Sequence, residues 1–268
     1  WLIGGDFSQI NGEAHNRIAR LLADGTLDSS FTVSLNGSVR AMAVSGTRVF
    51  IGGSFTTVGA TPRLRLAALD ATTGALDQTF APDVEGGSTP TVRTLVVSGA
   101  TVHFGGSFAT VNGAPQANLG AVDAAAGGSV AGFTGAADGL VNALVTDGTS
   151  LFAAGEFVNV GGAPRRGVAR LAAATGLADT AFDAASDGNA SALALSGTTL
   201  FVGGSFGHIG GQSREHIAQL NVADGHATAW DPGANGDVES LALAGTALVV
   251  AGDFDEVGGV ERLYVAAL

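Results

Sequence analysis

The sequence predicts an all-β protein, a β-propeller of four-stranded antiparallel blades, six in number, with an incomplete closing blade. Three observations predict it. Two small residues (mostly glycine), a variable polar residue and a phenylalanine recur with first positions at 4, 52, 105, 154, 203 and 251, which places Phe7, Phe55, Phe108, Phe157, Phe206 and Phe254 at a nearly constant period. Apolar runs of strand length follow one order within every period. The 42 glycines, against 6 prolines, are spread evenly along 268 residues and supply tight turns rather than a flexible linker.

Repeat two shows the internal plan. An apolar strand near Val39 to Val44 meets a short turn at Ser45 to Thr47, and a second strand, Val49 to Ile51, ends in Gly52 and Gly53. That spacing is a hairpin. A loop of about ten residues leads to a third strand near Leu66 to Asp70, and the turn Thr72-Thr73-Gly74 leads to a short fourth strand ending at Phe80. The third strand recurs with Ile18, Leu66, Leu119, Val168, Ile217 and Val265, and the fourth ends at Phe31, Phe80, Phe133, Phe182 and Trp230. Apolar side chains locked to the period are core packing between blades.

One four-stranded sheet buries too little apolar surface alone, and a ring leaves no end blade to cap, so radial closure is favoured over an open stack. The chain reads as one propeller domain, 1–268, with repeats beginning near 1, 38, 91, 140, 189 and 237. It opens on the second strand of its first blade and stops after the third strand of its last, giving 22 strands where six blades need 24. Because Trp1-Leu2-Ile3-Gly4 reads as the end of a strand, the stretch is expected to be part of a longer chain.

The formal charge is −12 and all twelve basic residues are arginine, a balance that repels nucleic acid and acidic membrane surfaces. With no cysteine there is no disulfide and no thiolate site. No apolar run approaches the ~18 residues of a membrane helix, so direct membrane insertion is not expected.

Two polar series repeat with the period. Arg63, Arg165, Arg214 and Arg262, with His15 at the equivalent point, occupy the loop between second and third strands. They either hold the loop down through carbonyls and carboxylates or form an anion-binding face. Arg40, Arg93, Asn142, Ser191 and Glu239 fall at one position of the first strand, between apolar neighbours, where alternation would turn them into the central channel. Acidic residues (Asp83, Glu85, Asp138, Asp183, Asp187, Asp231 and Asp237) gather in the connections between blades. Solvated loop carboxylates are the plain reading, with calcium as a weaker one, since the spaced D-x-D-x-D-G pattern is absent. No cofactor and no metal site are expected. His208 and His216 share one loop without a third ligand, and His103 stands where another copy has Phe50. No P-loop, nucleophile elbow or H-E-x-x-H motif occurs.

The run Gly4-Gly5-Asp6-Phe7, Asn11-Gly12, Ile18-Ala19-Arg20-Leu21, Asp24-Gly25-Thr26-Leu27-Asp28 and Phe31 resembles the delta-60 repeat, a β-propeller repeat of large bacterial surface and secreted proteins. The likeness extends over the whole chain. Repeat three departs from it, with Gln116 in place of the loop arginine. The resemblance implies an extracellular or cell-surface module and carries no catalytic motif. The expected function is non-catalytic recognition of a protein or glycan, or a structural spacer; the alternative is a polysaccharide- or ester-cleaving enzyme using the channel mouth, with Arg40, Arg93 and Glu239 as its first candidates.

Overall fold

The computed structural model describes residues 1–268 and contains strands and turns but no helix. It forms two compact units, Trp1–Ala131 and Gly132–Leu268.

In the first unit, repeat one contributes the antiparallel pair Leu2–Gly4 and Ile18–Arg20, and repeats two and three each contribute a three-stranded antiparallel sheet in the order first, second, third strand. Repeat two uses Val39–Ser45, Arg48–Gly53 and Leu66–Asp70; repeat three uses Thr91–Ser98, Thr101–Ser107 and Leu119–Asp123. The second unit holds three sheets of the same order: Val141–Thr146, Ser150–Gly155 and Val168–Ala172; Asn189–Ser196, Thr199–Ser205 and Ile217–Asn221; Val238–Ala244, Ala247–Gly252 and Val265–Ala267. Within each unit the first strands of successive repeats lie side by side.

The expected fourth strand contracts to a single bridge in each of the first five repeats: Leu21 with Leu27, Leu69 with Leu76, Val122 with Ser129, Leu171 with Ala178, and Leu220 with Ala227. In repeat two, Asp70 N–H donates to Ala75 O at 2.8 Å and Asp77 N–H to Ala68 O at 2.9 Å, after which the chain turns away. Asp77 causes that turn, because its Oδ1 accepts Thr79 N–H at 2.9 Å and the Thr79 hydroxyl at 2.6 Å. Asp28 and Asp179 act in the same way on Ser30 and Ala181.

The loop between second and third strands is itself a hairpin. Two-residue strands such as Gln9–Ile10 with Glu13–Ala14, or Asn159–Val160 with Ala163–Pro164, close over Asn11-Gly12 or Gly161-Gly162, all at positive φ. Such a turn matches strand twist and takes Asn-Gly or Gly-Gly. The connection from the preceding repeat pairs with this hairpin, through Leu35 with Val58, Val84–Glu85 with Thr110–Val111, Ala137 with Val160, and Ala234 with Val257.

Within each unit, cores form between consecutive sheets. Phe80 packs edge-on against Phe50 with ring centroids 5.1 Å apart, Phe182 against Phe152 at 5.8 Å, and Trp230 against Phe201 at 5.5 Å. Phe55, Phe157, Phe206 and Phe254 are buried as well. The first small residue of the motif gives the next repeat room: a Cβ on Gly4, Gly52 or Gly203 would stand 2.6, 2.5 or 2.4 Å from Cγ1 of Val39, Val92 or Val238.

A backbone tie locks every motif phenylalanine. The residue just before the third strand (Arg17, Arg65, Asn118, Gly167, His216 or Tyr264) has φ between 61° and 75°. Its N–H donates to the motif Phe carbonyl, as Arg65 to Phe55 at 3.0 Å, and its carbonyl accepts from the second motif glycine, as from Gly53 at 3.0 Å.

Candidate functional site

The polar first-strand series does sit at one structural position, for a reason other than alternation. Pairing of first with second strand slips by one residue between Val39 and Ala41, Val92 and Thr94, Val141 and Ala143, Ala190 and Ala192, and Val238 and Ser240. Arg40, Arg93, Asn142, Ser191 and Glu239 are therefore the extra residues of five equivalent β-bulges. A bulged residue lies outside the ladder and re-aims its side chain. Arg40, Arg93 and Glu239 are exposed, and Asn142 and Ser191 are half-buried. Asn142 Nδ2 donates to Ala190 O on the next first strand at 3.3 Å.

The second motif glycine makes room for the bulge. A Cβ there would lie 1.9 Å from Ser38 O at Gly53, 2.0 Å from Thr91 O at Gly106, and 2.0, 2.2 and 2.1 Å from the matching carbonyls at Gly155, Gly204 and Gly252. Only glycine allows that approach. The bulge scaffold is thus built from backbone and glycine, while the side chain it presents varies among cation, amide, hydroxyl and carboxylate. Unit one presents the cations Arg40 and Arg93; unit two presents Asn142, Ser191 and Glu239.

The loop arginines are largely committed to the backbone. Arg63 and Arg165, each 9% exposed, donate to the carbonyl of the preceding proline (2.8 and 2.6 Å) and to carbonyls of the fourth-strand turn. For Arg63 that acceptor is Gln78 O at 3.2 Å; for Arg165 they are Asp179 O at 3.2 Å and Thr180 O at 3.0 Å. Arg214 bonds Ser213 O at 2.6 Å, Thr228 O at 2.6 Å and Asp231 at 3.2 Å. Arg262 is exposed and bonds Glu261 O at 2.9 Å.

Several connection acids are engaged too. Asp138 Oδ1 accepts the N–H groups of Val158 and Asn159, and Asp187 Oδ1 those of Gly207 and His208, all at 2.9 Å. Hydrogen bonds to the backbone and side chain of His208 hold the Asp187 carboxyl below its ordinary range. Asn36 and Asn235 stand in the same role without charge. His208 faces Asp187 at 3.3 Å, whereas His216 faces Asp237 at 3.2 Å, so the two histidines of one loop turn to different carboxylates. His103 is buried, and desolvation depresses its pKa to about 4, leaving it neutral.

A third arginine set was not evident as a series in the sequence, because Arg20 and Arg170 share a third-strand position that holds Ala68, Ala121 and Gln219 in other repeats, while Arg48 comes from a second strand. Arg20 bonds Thr72 O of the next repeat while pairing with Asp28 at 3.1 Å. Arg48 bonds Ala124 O and pairs with Asp77 at 2.7 Å, and Arg170 bonds Val222 O at 3.2 Å and faces Asp179 at 3.5 Å. Each ties one repeat to the next.

Residues 1–31, 48–80, 150–182 and 199–225 match the family model described as a domain of unknown function (DUF5122), β-propeller. No curated protein matches the chain. Among solved structures, the chain is similar to the computationally designed Ika8 protein, with 15% identity and a TM-score of 0.53 over 93% of this chain and 76% of that one. It is also similar to a chain of the mitotic checkpoint complex, with 16% identity and a TM-score of 0.56 over 87% of this chain and 64% of the other. These likenesses are of fold alone. In these four stretches the chain is similar to the DUF5122 β-propeller family, a domain of unknown function, which is consistent with its delta-60 resemblance.

Proposed function

We propose that the chain is a non-catalytic recognition module that binds a glycan or protein through the side chains of its bulged first strands, in an extracellular or cell-surface protein. The observation that supports this reading is the bulge itself: five equivalent sites of fixed backbone present four kinds of polar side chain, arginine twice and asparagine, serine and glutamate once each. Fixed backbone with variable side chains is the economy of a recognition surface, since rigid positions limit the ordering cost of binding. The loop arginines support it by contrast, because their donors are spent on carbonyls. The surface location rests on the delta-60 resemblance. The six repeats are proposed as blades of one propeller with an incomplete closing blade, on the strength of the sequence period.

The test is an array of glycans and cell-wall polysaccharides probed with the chain, in calcium and in chelator, alongside the variant Arg40→Ala, Arg93→Ala, Glu239→Ala. Binding that falls at least about tenfold in the variant, at an unchanged denaturation midpoint, supports the reading. Binding indifferent to the three substitutions, or cleavage of a polysaccharide or ester on the array, overturns it.

A further inference from the structure

Repeat four carries a cleft of about 420 Å³ bordered by Thr149, Ser150, Arg170, Ala172, Leu177 and Asp179. That volume falls within the roughly 300–1,000 Å³ of small-molecule sites. The cleft lies at the hairpin-turn end of the sheet, with the bulge at the other end of the same strands.

Its origin is two small residues. Where repeat four has Ala172, repeats two, three and five have Asp70, Asp123 and Asn221, whose side chains accept N–H groups of the following turn. In repeat four the turn keeps only main-chain bonds to this residue: Gly176 N–H to Ala172 O at 2.7 Å, which recurs in the other three repeats, and Thr175 N–H to Ala172 O at 3.2 Å, which does not. Where repeat four has Ser150, repeat two has Arg48. Beside the short Ser150 and Ala172 side chains the space is open, and Arg170, which stands where repeats two and three have Ala68 and Ala121, lines it.

The walls are held in place. Arg170 Nε donates to Ser150 Oγ at 3.1 Å, and Nη1 donates to Val222 O at 3.2 Å and faces Asp179 Oδ2 at 3.5 Å. Asp179 is fixed in turn, since its Oδ1 accepts Ala181 N–H at 2.9 Å and Arg165 bonds its carbonyl. A guanidinium has five N–H donors, and the two on Nη2 lie outside these contacts. Leu177, 51% exposed, supplies an apolar rim over the buried Leu171.

From this we infer that the cleft binds a neutral saccharide unit, an inference that rests on the recognition reading above and places a second contact at the opposite end of the sheet. A hydroxyl both donates and accepts, so a diol fits a fixed guanidinium beside a fixed carboxylate, and the C–H face of a sugar ring fits Leu177. An anionic ligand is disfavoured, because it must compete with Asp179 for Arg170 beside Asp147, whose carboxylate holds the Thr149 and Ser150 N–H groups, on a chain of charge −12.

Ligand-observed NMR and calorimetry on the full chain, with a panel of neutral gluco-, manno- and galacto-configured oligosaccharides, test this. Ala172→Asp installs the residue of repeats two and three, and Arg170→Gln the residue of repeat five (Gln219), so both changes are already tolerated by this fold. Each is expected to weaken binding at least about tenfold, with the denaturation midpoint held or raised in Ala172→Asp and lowered in Arg170→Gln, which gives up the bond to Val222 O. Saccharide binding that survives both substitutions but is lost in the bulge variant overturns the cleft and keeps the recognition reading. Binding confined to sulfated or uronic-acid glycans overturns the neutral-ligand assignment. No binding by the wild-type chain to any glycan, neutral or charged, overturns the cleft and leaves the recognition reading to a protein ligand.

Discussion

Replacing the second motif glycine with alanine tests the bulge directly, and Gly204 in repeat five is the best place to do it. The new Cβ would stand 2.2 Å from Asn189 O, 2.9 Å from Ala190 Cα and 3.1 Å from Asn189 C. Ordinary C···O contacts begin near ~3.3 Å, so the strands must part by about 1 Å. That motion strains the bond from Gly204 N–H to His216 O at 2.9 Å and the pairing of Asn189 with Ser205. Two weakened hydrogen bonds, one of them at buried Gly204, amount to about 2 kcal/mol. Urea denaturation followed by Trp230 fluorescence measures this, since Trp230 packs on Phe201 of the same repeat. The second variant deletes Ser191 as well, which converts Ala190 opposite Gly204 and Ala192 opposite Gly203 into an uninterrupted ladder and relieves the close approach. Recovery of about half the loss or more is expected. A Gly204→Ala protein within ~0.5 kcal/mol of wild type, or a deletion whose cost simply adds, would refute the bulge as the reason for the glycine.

Other substitutions check other parts of the argument. Arg165→Ala should cost about 1–2 kcal/mol by removing the hydrogen bonds and packing of a buried arginine, whereas Arg262→Ala, at an exposed site, should change the urea midpoint by no more than ~0.5 kcal/mol equivalent; equal effects would contradict the anchoring role. His103 has a folded pKa near 4 against 6.5 unfolded, so below pH 6.5 the unfolded chain binds the extra proton. Its contribution is fully present above pH 6.5, is lost as pH falls toward 4, and totals about 3 kcal/mol. His103→Phe, which copies the aromatic of other repeats, should flatten that slope in stability measurements between pH 7 and 4. Gly167→Ala places a Cβ 2.9 Å from Ser186 Cβ at φ 75° and should cost about 2 kcal/mol by thermal or urea melting.

Much of the fold is legible in the sequence because period and alternation are both encoded in side chains. The motif phenylalanines and the apolar residues of the third strand mark the core directly. The hairpins within the loops carried a signal of their own: Asn11-Gly12, Asn112-Gly113 and Gly161-Gly162 flanked by β-formers demand a two-residue turn. The fourth strand reads as longer than it is, because residues 75–80 look extended while Asp77 bends them. The polar first-strand positions stand out by their variation, yet strict alternation explains them incorrectly: Val39 and Met42 share one core, three residues apart, and Ala41 and Ala43 border another. That odd interval was the available sign of a bulge. What the loop arginines bond is a matter of backbone placement, which residue type alone does not reveal.

The left-handed residue before each third strand has a practical consequence. Its two hydrogen bonds run entirely through main-chain atoms, so the fold asks for a backbone conformation there and leaves the side chain unassigned. Arginine, asparagine, glycine, histidine and tyrosine all occupy it across six repeats. Each copy except repeat four, where Ser186 crowds Gly167, thereby owns an address, anchored at both ends and repeated with the period, where a new functional group can be installed without redrawing the core. A chain built by duplication can diversify at that address first, and an engineer seeking attachment points on this scaffold would begin at Tyr264, which is already open to solvent.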